Sequence, residues 1–171
     1  MKLLVVAGPT ASGKSDLGIK LAQYYNGEII SADSMQIYKG LDIGTAKVKH
    51  TEGVKHHLID VIEPDQPFSA EEFKLLATQA AEEISKEGKL PIVVGGTGLY
   101  IHSLLYKLEF GNAEADPELR AELMDYYHAH GALKLHEMLS QLDKDAAERI
   151  HPNNVKRVIR AIEICKKSGA P

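Results

Sequence analysis

The sequence predicts an α/β protein, a parallel sheet flanked by helices, with a helical insertion domain. Three observations lead there. Short Leu-, Ile- and Val-rich runs end in Gly- or Ser-rich turns, stretches of helical periodicity separate those runs, and from Gly111 onward the helical pattern continues without strands.

The first run, Lys2 to Ala7, is apolar throughout and stops at Gly8-Pro9, as suits a strand covered on both faces of a parallel sheet. A helix follows, with Leu17, Leu21 and Tyr24 at helical spacing, and Asn26-Gly27 ends it before a second strand, Glu28 to Ser31. Ser69 and Glu72 form a capping box that opens a helix through Phe73, Leu76, Ala80 and Ile84, closed by Glu87-Gly88. Leu90 to Val94 is the third buried strand and leads through Gly95-Gly96 into a helix carrying Tyr100, Leu104 and Leu105. Right-handed crossovers then place all three post-strand loops at the carboxyl edge of one sheet, where ligands of such folds bind. Asp116-Pro117 marks the cap and first turn of a helix, a segment from Leu133 to Leu142 follows, and the last runs from Pro152 to Lys167. The expected division is 1–111 for the core, 112–150 for the insertion and 151–171 for a basic helix returning to the core.

With 171 residues, 44% hydrophobic and 26% charged, the chain can build one sizeable core. No apolar run is long enough to cross a bilayer, so a cytoplasmic protein without membrane attachment is expected. The lone Cys165 falls in an apolar helical pattern and reads as a buried thiol. A net charge of -4 gives no general attraction to a polyanion, which leaves nucleic-acid binding to a local patch. Such a patch exists: Arg149, Lys156, Arg157, Arg160, Lys166 and Lys167 stand against the single acid Glu163.

Gly8, Pro9, Thr10, Ala11, Ser12, Gly13, Lys14 and Ser15 form a complete P-loop between a strand and a helix, so the core is expected to be P-loop NTPase-like. Its glycines let backbone N–H groups turn toward phosphate, the helix N-terminus adds positive dipole, Lys14 neutralises charge, and Ser15 is the candidate ligand for Mg²⁺. The motif implies a ligand with at least two phosphates. It does not decide between phosphoryl transfer and departure of diphosphate.

Asp33, between Ser31 and Ser34 after the second strand, reads equally as a general base or substrate contact, as a helix cap, or as an indirect Mg²⁺ ligand. Thr97 reads as a donor to diphosphate or substrate, as a helix cap, or as both. No acid ends the third strand, where many P-loop nucleotidases keep one for Mg²⁺, which weakens an ATPase or GTPase reading. On the last helix, Val155, Val158, Ile159, Ile162 and Cys165 form an apolar stripe, and Lys156, Arg157 and Arg160 fall side by side off it, as a solvated face or a phosphate-binding one. The eight histidines show no metal-ligand spacing.

GPTASGKS, ISADSMQIYKGLDIGTAK, VVGGTGLYIHSLL and DAAERIHPNNVKRVIRAIEI, in this order, resemble the bacterial tRNA dimethylallyltransferase (tRNA isopentenyltransferase, or IPP transferase) family across nearly the whole chain. The resemblance implies transfer of a dimethylallyl group from dimethylallyl diphosphate to the exocyclic amine of the adenine beside the tRNA anticodon, with Mg²⁺ and release of diphosphate. It assigns Asp33 as the base on that amine, Lys14 and Thr97 as further catalytic groups, and Ser34, Met35 and Gln36 as neighbours of the target base. Thr97 also contacts tRNA in that reading, as do Arg120, Lys156, Arg157 and Arg160. The family continues well past Pro171, so the chain is expected to be part of a longer protein, acting as a monomer. The competing readings are a P-loop kinase of a nucleotide or small metabolite, a non-catalytic nucleotide-binding module, and an adenylate prenyltransferase.

Overall fold

The computed structural model describes residues 2–45, 47, 51–106 and 116–168. The chain divides into two compact units, Met1–Leu108 and Glu109–Pro171. The expected boundary near Asn112 lies outside the described residues.

In the first unit, β1 (Leu4–Ala7), α1 (Lys14–Tyr25), β2 (Gly27–Ser31), β3 (His56–His57), α2 (Ala70–Lys86), β4 (Leu90–Gly95) and α3 (Gly98–Leu105) follow in order. The four strands form one parallel sheet in the order β1-β4-β2-β3. β4 thus inserts between β1 and β2, and the loops after all three leave from neighbouring positions. Strand residues alternate between two cores. Ile29, Ile92 and Val94 pack with Ile19 and Ala22 of α1, while Ile30 and Val93 pack with Phe73, Ala77 and Ile84 of α2 and Tyr100 of α3. Helices on both faces are the reason the strands read as continuous apolar runs rather than alternating ones.

Local signals set the helix ends. Asn26 takes a left-handed conformation (φ 51°) and stops α1. At the start of α2 the Ser69 side chain accepts from the Glu72 amide at 3.1 Å, and the Glu72 carboxylate accepts from the Ser69 amide at 2.7 Å. At the far end of the sheet from these loops, Glu28 is buried on β2. Its carboxylate meets His57 Nε2 and Lys89 Nζ, each at 2.6 Å, and lies 3.5 Å from Lys55 Nζ.

The second unit comprises α4 (Pro117–Leu142), α5 (Lys144–Arg149) and α6 (Val155–Ser168). Asp116 caps α4 by accepting from the Leu119 amide at 3.0 Å, and α4 breaks at Gly131, whose φ of 83° no helix contains. Leu123, Leu135 and Leu139 of α4 bury against Ala146 and Ala147 of α5 and Val158, Ile159 and Ile162 of α6. The basic helix therefore shares its core with the helices before it. The apolar stripe lies where its spacing put it, and Cys165 is buried, which pushes its thiol pKa up. Among the described residues, no helix is long and apolar enough to cross a membrane.

Candidate functional site

Two left-handed residues shape the P-loop, Ala11 (φ 64°) and Gly13 (φ 77°). Gly13 is also the N-cap of α1 and has no side chain to occupy the first-turn N–H groups, which therefore suit an anion. Lys14 and Ser15 open the helix beside them. The Lys14 ammonium donates to the Pro9 carbonyl at 2.9 Å, which folds its side chain back along the loop.

Thr10, Ala11, Lys14 and Ser15 form one wall of a cleft. Asp33, Gln36 and Thr45 from the loop after β2 form a second wall, and His56, Ile59, Ile29 and Val94 complete it. Lys14, Ser15, Asp33 and Gln36, distant in the sequence, thus share one cleft.

The second and third loops are bonded to each other. Asp33 Oδ1 accepts from the Met35 amide at 2.9 Å, a local turn that fixes the carboxylate. The Ser34 amide donates to Thr97 Oγ1 at 2.9 Å, and the Thr97 amide donates to the Ala32 carbonyl at 3.1 Å. Thr97 stands at the N-cap of α3, yet its hydroxyl makes no bond to that helix. This corrects the capping alternative: the side chain ties one loop to the other. Gly95 makes the approach feasible, because a Cβ there would sit 2.1 Å from the Ala32 carbonyl oxygen. Met35 is half exposed, and Gln36 is buried with its amide donating to the Thr45 carbonyl at 3.3 Å.

Three contributors had no signal of their own. Thr45 and Ile59 reach the cleft because the segment after β2 folds back beside residues 59–62, the Lys39 amide donating to the Ile62 carbonyl and the Val61 amide to the Ile37 carbonyl. His56 lies on β3, with Nδ1 3.0 Å from the Val54 carbonyl oxygen. Burial and the neighbouring His57 hold its pKa down. The fold-back is clamped by Lys47, buried, which donates to the Tyr38 carbonyl at 3.0 Å and to Asp42 at 2.7 Å, and which also bonds Asp60. Burial opposes its charge, and the two carboxylates outweigh burial, so its pKa is raised.

In the second unit, Lys156 and Arg157 are exposed and Arg160 is half-buried. Arg160 turns to Glu163, with Nη1 2.5 Å from Oε2. Arg120, by spacing one more solvated charge, instead holds the same carboxylate through Nε and Nη2, both at 2.9 Å. The Asp116 amide adds a third contact at 2.6 Å. Glu163 is fully buried; burial pushes its pKa up, and the two guanidinium groups and the amide outweigh it to about 2. Above this carboxylate lies a groove lined by Arg120, Met124, Lys156, Ile159 and Arg160.

Comparison with known proteins converges on one family. Residues 36–171 match the family described as IPP transferase. The chain is 54% identical over 169 residues to the tRNA dimethylallyltransferase of Bacillus pumilus (strain SAFR-032), covering 98% of this chain and 53% of that one. It thus spans about half the length of the curated relatives it matches. Among solved structures, the full-length tRNA isopentenylpyrophosphate transferase from Bacillus halodurans matches with 48% identity and a TM-score of 0.65, over 99% of this chain and 57% of that one. A eukaryotic dimethylallyltransferase acting on tRNA matches with 36% identity and a TM-score of 0.80, over 98% of this chain and 42% of that one.

Proposed function

The chain belongs to the IPP transferase family, and on that premise we propose that its cleft moves a dimethylallyl group from dimethylallyl diphosphate to the exocyclic amine of the adenine beside a tRNA anticodon. One observation carries the reading: the P-loop wall, with Lys14 and Ser15, faces the same cleft as the Asp33 carboxylate.

The P-loop amides and Lys14 take the diphosphate, and their charge favours breaking the allylic carbon–oxygen bond, whose electron pair leaves on the diphosphate. The adenine nitrogen forms the new bond to that carbon and gives its proton to Asp33. Met35 holds Oδ1 of Asp33, so Oδ2 is the atom placed to accept it. General-base help of this kind is worth about 10²–10⁴-fold. The Thr97 oxygen accepts from Ser34 and keeps its own O–H to donate, to diphosphate or to nucleotide. Ser34, Met35 and Gln36 are assigned as neighbours of the flipped base, which leaves a loop more cheaply than a duplex.

The donor chemistry here fits Mg²⁺. Ser15 offers one oxygen beside the P-loop, and a diphosphate with water supplies the remainder, the arrangement this ion favours. When bound, Mg²⁺ adds positive charge against the departing diphosphate. In the second unit, Arg120, Lys156, Arg157 and Arg160 are the groups assigned to the tRNA backbone. The protein acts as a monomer in the cytoplasm in this reading.

The test is radiolabel transfer from dimethylallyl diphosphate to tRNA by the intact protein. A kinase would move label from the terminal phosphate of ATP instead, and absence of labelled tRNA would overturn the proposal. Asp33→Asn should keep diphosphate binding and lose at least about 10²-fold in turnover. Wild-type turnover in that variant would remove Asp33 as the base.

A further inference from the structure

The four cations assigned to the tRNA backbone are not alike. Lys156 and Arg157 are exposed, whereas Arg120 and Arg160 converge from two helices on the buried Glu163. Arg120 comes from the first turn of α4 and Arg160 from the middle of α6, and both guanidinium groups share one carboxylate. Its two oxygens are filled, Oε1 by the Asp116 amide and Arg120 Nε, Oε2 by Arg120 Nη2 and Arg160 Nη1.

This bonding is side-on for Arg120. Of the five N–H donors of a guanidinium, two point at Glu163, and the edge formed by Nη1 and Nη2 points away from it. That edge has the fork geometry that recognises a phosphate with two parallel bonds. Arg120 lines the groove in which Lys156 adds a second cation and Met124 and Ile159 apolar surface. A long arginine left to itself loses side-chain entropy when it docks on a phosphate; one already held by a buried carboxylate has lost most of it on folding.

We propose that Glu163 is a positioning residue for RNA, an acid that strengthens binding of a polyanion by fixing the Arg120 and Arg160 guanidinium groups around a site for one backbone phosphate. The inference rests on the tRNA reading above and adds a role for a residue of the wrong charge. Counted as bare charges, Arg120, Lys156, Arg157 and Arg160 against Glu163 give +3, and removing the acid gives +4. Bare electrostatics therefore predicts that Glu163→Gln binds RNA more tightly, with a steeper salt dependence. Positioning predicts the reverse.

The experiment measures binding of an RNA hairpin of the anticodon arm to the intact protein across a range of salt, for wild type, Glu163→Gln and Arg120→Lys. Glu163→Gln should weaken binding roughly tenfold and make the slope of log affinity against log salt shallower by about one, the signature of a lost phosphate contact. Inorganic diphosphate should bind it as it binds wild type, which verifies the other unit. Arg120→Lys retains every charge and removes only the fork; it should show a similar loss, and it carries the test if Glu163→Gln does not fold. RNA binding by Glu163→Gln equal to or tighter than wild type, or wild-type binding by Arg120→Lys, would overturn the positioning role alone. A wild-type protein that transfers no label and binds no hairpin would overturn the tRNA reading and this inference with it.

Discussion

Replacing Glu28 by Gln should remove a pH-dependent share of stability whose size follows from its surroundings. The side chain is only 5% exposed, yet its pKa is about 2, down from the ordinary 4.5. Burial acts to raise it; the hydrogen bonds from Lys89 and His57 and the charges of Lys55 and Lys89 outweigh burial. A group whose carboxylate is favoured by folding stabilises the protein above its unfolded pKa, and that contribution disappears as pH falls through the folded one. At about 1.4 kcal/mol per pKa unit, the drop corresponds to about 3 kcal/mol near neutral pH as an upper bound, less than half of which survives at pH 3 and under about 0.5 kcal/mol at pH 2. Urea unfolding followed by circular dichroism at pH 7, 5, 3 and 2 reads this directly, with hydrogen exchange at the Ile29 and Ile30 amides reporting the sheet alone. The gap between wild type and Glu28→Gln should be largest at pH 7 and should narrow between pH 5 and 2. A gap of constant size across that range would refute the account, since it would mean the carboxylate stabilises by shape rather than by charge.

Gly95→Ala should be far more damaging than a methyl group usually is. Its Cβ would stand 2.1 Å from the main-chain oxygen of Ala32, which no rotamer change can relieve, so a loss above about 3 kcal/mol in the urea series is expected. A loss under about 1 kcal/mol would show that the loops separate easily. Thr97→Val leaves the Ser34 amide without its acceptor, at about 1 kcal/mol, and removes the donor that the proposed function gives to substrate, so turnover should fall more than stability does. Thr97→Ser keeps the oxygen and should restore both; if serine fails where valine fails, the methyl group is needed as well as the hydroxyl.

What was legible in the sequence was what neighbours in sequence decide. The capping box at Ser69 and Glu72, the left-handed stop at Asn26 and the cap at Asp116 each rest on residues within a few positions, and each is seen in the structure. The P-loop was legible for the same reason, being eight consecutive residues. β3 was not, because two adjacent histidines carry no apolar run, and they become a strand only by pairing with Ile29 and Ile30 across the sheet. α5 is six residues, mostly charged or small, and too short for periodicity to show. Glu163 stood out as the lone acid in a basic stretch, but its bond to Arg120 spans 43 positions and has no local trace.

The same distinction separates the two halves of the cleft. The loop after β2 is held in place by contacts between loops: the Asp33 turn, the Ser34 bond to Thr97, the close approach of Gly95 to Ala32, and Lys47 beneath the fold-back. A carboxylate held this way would need little reorganisation to act as the proposed base, which is where electrostatic and general-base catalysis draw their advantage. Lys14 differs, since its ammonium rests on its own loop at the Pro9 carbonyl and must turn outward to meet a phosphate. On the proposed reading, the adjustment on diphosphate binding therefore belongs to the P-loop side, and the facing wall is already formed.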